Sequence, residues 1–394
     1  MKLLFIHHSG ALGGAGVSLL AYVKELAKQH RISLYLPDEP ADMLEMAKAQ
    51  CSGLPVDIRG YGRRIGAITY YSGGDSAFSP RFCYRAGLVL KQWGYWNRIV
   101  ENERPDVAIV NSKVLSWMGW LPAMKRIKSI CFVRETIRGS QSFPINRIVR
   151  SGLEGFSCVV FISRHDAAME RLAKAKPVVI RNFPDSSMLG SGISTGDACR
   201  RLRLDEGKFK ALYVGGVSEM KGFDLAVQAA LKAGVELIAA GNDFEDAMKL
   251  KSRNAREYSL HWKAFLERND REGLVHVVGR QKDMAACYMA CDVLLFPMRA
   301  PHQARPAFEA GYFGKPVIIS DFENIREDVM DGENGFLVTP NDSDAIASRL
   351  VALRDSPELC ARMGECNRQF SHREHSLEAS SAAMERLLEE LVGK

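Results

Sequence analysis

Three short stretches hold residue types able to grip a phosphorylated ligand. The first is Ser9-Gly10-Ala11-Leu12-Gly13-Gly14-Ala15-Gly16, between an apolar run and an amphipathic one. Missing side chains let a ligand approach the backbone, and a helix N-terminus favours an anion. The second is Val214-Gly215-Gly216-Val217-Ser218-Glu219-Met220-Lys221-Gly222-Phe223. It puts a lysine at the mouth of another strand–loop–helix unit. An ammonium there can reach a diphosphate and stabilise a negative leaving group as a glycosidic bond to phosphate breaks. The third, Pro297 to Gly311, brings Arg305 and Glu309 near the start of a helix. Glu309 stands among Ala307, Phe308, Ala310 and Tyr312. A carboxylate in apolar surroundings needs partners, and paired ribose hydroxyls would suit it.

Each stretch also has a plain reading: a tight turn, a surface lysine, and a glutamate that merely favours a helix dipole. A dinucleotide site is a further reading of the first loop, with Asp38 standing where a ribose-binding acid would be. The spacing G-x-x-G-G-x-G differs from G-x-G-x-x-G and argues against it.

The elements that must position these residues follow one grammar, stated twice. Lys2 to His8 reads as a strand, about Val17 to His30 as an amphipathic helix, and Arg31 to Leu36 as the next strand. Such a unit pairs in parallel with a right-handed crossover. Further apolar runs follow at Val107–Val110, Ser129–Val133, Cys158–Ile162 and Pro177–Ile180. Without alternation, they suit a sheet covered on both faces. The grammar restarts at Lys210–Val214. It continues through Glu236–Ala240, Val275–Val278, Val293–Phe296, Pro316–Ile319 and Gly335–Val338. The expected organisation is an α/β chain of two doubly wound, Rossmann-like domains with a cleft between them, spanning residues 1–186 and 209–370. A Ser-, Gly-, Thr- and charge-rich linker, 187–208, joins them, and 371–394 forms a C-terminal helix packing back on the first domain. Residues 57–104 read less regularly, as an insertion or mobile loop region facing the cleft.

The chain has 394 residues, 46% hydrophobic and 25% charged, which excludes collagen-like, disordered and disulfide-scaffold classes. The nine cysteines form no C-x-x-C pair and read as reduced packing residues; Cys287 and Cys291, four apart on an expected helix, lack further metal ligands nearby. The opening apolar stretch, Leu3 to Ile6, is too short for a secretion signal, so a cytoplasmic location is expected. Charge is uneven: residues 1–186 hold 26 Lys+Arg against 15 Asp+Glu, whereas residues 187–394 hold 27 against 32. A basic half suggests an anionic partner, either a phosphate-bearing substrate or an anionic membrane surface that the protein meets peripherally. No helix-turn-helix, zinc-finger or RNA-recognition signature accompanies the charge, so nucleic acid is not expected.

In combination and order, these motifs resemble glycosyltransferase family 4, retaining enzymes of GT-B architecture. Gly13-Gly14 is similar to the family's N-terminal glycine loop. Val110-Asn111-Ser112 followed by Phe132-Val133-Arg134-Glu135 resembles a pattern of bacterial polysaccharide members. Val179 to Asp185 is similar to the end of the first domain. Tyr213–Phe223, Pro297–Ala310, Gly314-Lys315-Pro316-Val317 and Asp331–Val338 resemble donor-domain motifs. The resemblance implies transfer of a sugar from a nucleotide-diphosphate sugar to an acceptor hydroxyl, with no metal or other cofactor. The product would be a surface polysaccharide or glycolipid such as lipopolysaccharide, and the acceptor an anionic or lipid-linked saccharide. Lys221 would hold the diphosphate and Glu309 the ribose. Gly13 and Gly14 would admit donor phosphate and acceptor, and Arg134 and Glu135 would face the acceptor or donor sugar.

Three departures stand out. Gly216 replaces the arginine that usually partners the phosphate lysine, Pro301 replaces the first glutamate of E-x7-E, and Cys131–Arg134 fill the stretch where a histidine is common. Arg305 or Arg299 is a candidate to restore the lost positive charge. The rival readings are a catalytically impaired GT-B binding or scaffold protein and a nucleotide-sugar epimerase; a nicotinamide-dependent oxidoreductase ranks last.

Overall fold

The computed structural model describes residues 1–393 except 12, 63–64, 69–78, 136–142, 185–191 and 251, and the side chains of 143–144. The chain forms two compact units, Met1–Asn182 with Leu377–Lys394, and Phe183–Ser376.

The first unit is built on seven parallel strands: β1 Lys2–His7, β2 Arg31–Leu36, β3 Val56–Gly60, β4 Val107–Asn111, β5 Lys128–Val133, β6 Cys158–Phe161 and β7 Lys176–Val179. Their order is β3-β2-β1-β4-β5-β6-β7. β4, β5 and β6 are buried almost throughout, which is why they read as unbroken apolar runs. β3 is the edge strand, Val-Asp-Ile-Arg-Gly, and only partly buried, so its apolar signal is weak. The span expected to be an insertion contains β3 and a helix of 24 residues, Pro80–Glu103. That helix packs Val89, Trp96 and Val100 into the core beside Trp117. Tyr70 to Gly74, part of that expectation, lie outside the described residues.

The second unit has six parallel strands: β8 Lys210–Val214, β9 Glu236–Ala240, β10 Val275–Gly279, β11 Val293–Phe296, β12 Val317–Ser320 and β13 Gly335–Val338. Their order is β10-β9-β8-β11-β12-β13. The stretch expected to be a linker is not one over its described part. A helix, Thr195–Leu202, capped by the Ser194 hydroxyl on the Asp197 N–H, packs Ala198 and Cys199 against Cys287 and Tyr288. Its serine, threonine and charges serve the cap and the exposed face. Cys287 and Cys291 are free, buried thiols in the same core.

The chain leaves the second unit later than the expected boundary at 370. Helix Pro357–Glu374 runs on to His375, whose ring stacks on Phe308 with centroids 4.3 Å apart. The last helix, Leu377–Val392, belongs to the first unit, burying Met384, Leu387 and Leu388. Its Glu385 meets His30 at 2.8 Å, and the Ser380 hydroxyl donates to the Arg181 carbonyl. Among the described residues no helix is long and apolar enough to cross a membrane.

Candidate functional site

Strand order reverses direction once in each sheet, between β1 and β4 and between β8 and β11. Open α/β sheets bind ligands outside the carboxyl ends of the strands at such switch points.

In the second unit the loop after β8 is held tightly. The Gly215 and Gly216 N–H groups both donate to the Ala240 carbonyl at the end of β9, and the Val217 N–H donates to the Asn242 carbonyl. Gly216 has φ +66°, and a Cβ added there would lie 2.4 Å from the Asn242 nitrogen. The two loops therefore meet backbone on backbone, and this glycine, unlike an arginine, fits the contact. Gly222, φ +76°, would place a Cβ 1.9 Å from the Pro297 carbonyl oxygen, which brings the loops after β8 and β11 together.

Lys221 stands between these two contacts, just before helix Phe223–Ala233. It is partly buried, and burial pushes its ammonium below the usual lysine value of 10.5. Among the described residues nothing accepts a hydrogen bond from it or pairs with it. It lines a cavity of about 730 Å³ with Gly215, Ser218, Asn242, Tyr258 and Arg280. That cavity lies over the carboxyl ends of β8, β9 and β10. Arg280 is engaged there by Asn242 Oδ1 at 2.8 Å and Asp246 at 3.2 Å.

Glu309 lies on the β11 side of the switch point, in helix Arg305–Tyr312, and is not part of the described cavity lining. It is 8% exposed. Arg305 Nε donates to its Oε1 at 2.7 Å, and the Tyr288 hydroxyl donates to its Oε2 at 2.8 Å. Burial and the Glu309 carboxylate together push the Tyr288 phenol well above its ordinary value, so it stays a donor. An ionised carboxylate offers about four acceptor positions, so each oxygen keeps capacity for a ligand hydroxyl. Both arginines named as candidates to restore the missing cation are ion-paired here. Arg305 pairs with Glu309. Arg299 pairs with Asp224 and also donates to Asn341 Oδ1 at 2.6 Å.

In the first unit Gly13 is the N-cap of helix Gly14–Leu26, in extended conformation and without a side-chain cap. A side chain at Gly13 would meet nothing within 4 Å. Asp38 is spent on the chain itself, accepting from the Gly62 N–H at 2.7 Å.

The carboxyl ends of β1, β4 and β5 carry a closed polar lattice. Arg134 Nε donates to Asn111 Oδ1 at 2.6 Å and its Nη1 to Asn182 Oδ1 at 2.8 Å, with its guanidinium carbon 3.9 Å from the Phe132 ring centroid. Glu135 accepts from the Ser112 hydroxyl and from the Lys113 and Arg134 N–H groups at 3.2 and 3.0 Å. His7 is held by Asn111, whose side-chain nitrogen lies 3.1 Å from its Nδ1. Burial, with His8 alongside, pulls His7 down to about 3, so it is neutral at pH 7. His8 is lowered for the same reason, against the opposing charge of Glu135.

Sequence reasoning singled out Arg134 and Glu135 but gave no role to His7, Asn182 or Tyr288. His7 reads there as the polar end of a strand, and Tyr288 as one apolar residue among alanines and cysteines. The signal that could have found both is their register. His7 pairs with Asn111 across β1 and β4, and Tyr288 precedes the strand that leads to Glu309.

Residues 197–370 match the family model for glycosyl transferases group 1. The capsular polysaccharide biosynthesis glycosyltransferase CapM of Staphylococcus aureus is 24% identical over 255 residues, 60% of this chain and 62% of that protein. An uncharacterized glycosyltransferase of Methanocaldococcus jannaschii, MJ1178, is 24% identical over 197 residues, 49% of this chain and 51% of that one. The chain thus spans less than two thirds of the length of these curated relatives. Among solved structures, Anabaena HepE in complex with UDP superposes with a TM-score of 0.78 at 18% identity, over 99% of this chain and 100% of the other. A glycosyltransferase from Rickettsia africae gives 0.74 at 15% identity, over 99% and 98%. The chain has the GT-B fold, and its second unit carries the group 1 glycosyltransferase match.

Proposed function

We propose that the protein is a retaining, metal-independent glycosyltransferase of family 4. It moves a hexose from a nucleotide-diphosphate sugar to a hydroxyl of a lipid-linked saccharide during synthesis of a bacterial surface polysaccharide or glycolipid. The observation that carries this reading is Lys221: a partly buried ammonium without a partner among the described residues, on the wall of a cavity of about 730 Å³ at the carboxyl ends of parallel strands. A desolvated cation lacking an acceptor is stabilised by an anion that enters beside it. A diphosphate fits, and the same charge then stabilises the nucleotide as it leaves.

Glu309, oriented by Arg305 and Tyr288, receives the ribose hydroxyls with its remaining acceptor positions. The first unit takes the acceptor: Gly13 and Gly14 leave open backbone, and Arg134 and Glu135 fix the shape of the floor beside it. Its excess of Lys and Arg suits an acceptor presented at the cytoplasmic face of an anionic membrane. HepE in complex with UDP and the family match over residues 197–370 support the donor class.

The test is calorimetric titration with UDP, GDP, ADP and their sugars, on the unmodified chain and on Lys221→Ala. One nucleotide diphosphate should bind, and the substitution should weaken it about 10- to 100-fold, the worth of a charge-assisted bond. Equal affinity of the two proteins, or no binding at all, overturns the reading.

A further inference from the structure

Helix Pro80–Glu103 carries three of the chain's exposed large hydrophobic side chains: Tyr84, Leu90 and Tyr95, at 59, 73 and 45% exposure. Its inner face is fully used by the core. On the outer face Tyr84, Lys91, Tyr95 and Arg98 follow at i, i+7, i+11 and i+14, one stripe of an α-helix, with Leu90 and Arg81 on its flanks. Between residues 80 and 100 the helix holds four cations and no acid, and of the four only Arg85 is buried. Helix Pro122–Lys125 packs beside it, with the Ala123 N–H donating to Asn97 Oδ1 at 2.9 Å, and adds exposed Lys125 to the same neighbourhood; Arg126, next along, lies 3.6 Å from exposed Glu101 at the end of the long helix.

Gly87 and Gly94 lie on the outer face too, one of them beside each tyrosine turn, and a Cβ at either would meet nothing within 4 Å. Glycine inside a helix costs about 0.5–1 kcal/mol against alanine, and packing within the chain gives no reason for either one. Neither do the exposed rings gain anything from water.

We propose that this face docks on an anionic lipid bilayer. Tyr84, Leu90 and Tyr95 sink into the headgroup boundary, and Arg81, Lys91, Arg98 and Lys125 meet lipid phosphates. Charge complementarity selects this occupant: an aromatic and aliphatic stripe framed by Arg81, Lys91 and Arg98, with exposed Glu101 set at its far end against Arg126, is the pattern of a helix lying in the interface plane. Long lysine and arginine side chains can keep apolar stems at such a boundary while their charged ends reach outward to phosphate. The inference deepens the proposed function, because a lipid-linked acceptor would be met at that surface, but the docking itself needs no sugar.

The test is sedimentation of the full chain with phosphatidylglycerol–phosphatidylcholine vesicles and with phosphatidylcholine alone, at low salt and at about 0.5 M salt, where charges are screened within a few ångströms. Binding should require phosphatidylglycerol and fall with salt. Lys91→Glu with Arg98→Glu should lower partition about 25-fold or more, since each cation near an anionic surface is worth about fivefold. Tyr84→Ser with Leu90→Ser and Tyr95→Ser should lower it about tenfold at low salt. The exposed pair Lys263→Glu with Arg268→Glu, in the second unit, makes the same change in net charge and should alter it less than about twofold.

Absence of vesicle binding at low salt, or equal losses in the two charge-reversal variants, overturns the proposal. So does a dimer in analytical ultracentrifugation that the triple serine variant dissolves, which assigns the face to a second copy. Nucleotide titration of the same variants without lipid separates the two readings. Donor binding intact with vesicle binding absent removes only the docking; vesicle binding with no donor removes only the enzyme.

Discussion

The two switch points differ in how their polar groups are spent. In the first unit the side chains at the carboxyl ends of β1, β4 and β5 satisfy one another: Asn111 serves His7 and Arg134, and Glu135 gathers a hydroxyl and two N–H groups. In the second unit the neighbouring cations Arg299 and Arg305 are paired with carboxylates, while Lys221 has no partner among the described residues. A closed lattice fixes shape and costs little when empty. An unmatched, desolvated ammonium is destabilising until an anion arrives, so it converts ligand charge into affinity. The first arrangement suits recognition of a varied, hydroxyl-rich partner by contour, the second recognition of one invariant charged group.

The largest expected effect tests that contrast at its sharper end. Lys221→Ala should cut kcat/KM for transfer about 100- to 1,000-fold, the scale of losing one preorganised group that meets developing charge. The unliganded protein should unfold at the same temperature or a higher one. The linkage has a definite sign. Lys221 is depressed in the folded state, so the unfolded chain binds more protons, and its contribution to stability rises as pH climbs toward 10.5. The slope should vanish in Lys221→Met and when a nucleotide diphosphate is bound.

The closed lattice should break from a different side. His7 titrates near 3 when folded and near 6.5 when unfolded. The unfolded chain therefore takes up a proton first as pH falls, and the lattice should lose about 2–3 kcal/mol between about pH 6 and pH 4. Denaturant titrations across that range, compared with His7→Gln, isolate this share; parallel curves would mean that His7 is not buried as described.

Smaller effects separate the two glycine loops. Gly216→Ala forces a left-handed backbone and a clash with Asn242, and should cost about 1–3 kcal/mol by thermal unfolding. Gly13→Ala enters open space at an extended φ and should change stability by no more than about 0.5 kcal/mol, while slowing transfer. Should Gly13→Ala leave transfer untouched, the first loop is a turn and the contrast sharpens to the second unit alone.

These differences explain what could be read from the sequence. Strands buried on both faces announce themselves as apolar runs, and the partly buried edge strands β7 and β10 still carry valine pairs, so twelve of the thirteen are legible within a residue or two. β3 is not, because its Val-Asp-Ile-Arg-Gly sequence holds only two apolar residues, separated by charges, and neither is fully buried. Helix Thr195–Leu202 hid behind cap residues that look like linker composition. The place of Lys221 at the strand ends was legible, because it stands beside a glycine at the mouth of a strand–loop–helix unit. The commitment of Arg299 and Arg305 was not, since ion pairing depends on rotamers and on Asp224, 75 residues from Arg299. Gly216 looked like a lost arginine, whereas the close approach of Asn242 and Gly241, from another loop, is what requires a glycine there.

The last helix, Leu377–Val392, belongs to the unit made by the first 182 residues. A ribosome therefore finishes the entire second sheet before it delivers the side chains that cover Tyr22 and His30. Until then the nascent first unit waits with an open seam, and the second unit, continuous along the chain, is free to fold ahead of it. A stop codon placed after residue 376 should therefore destabilise the first unit, which loses a helix, more than the second, which loses none.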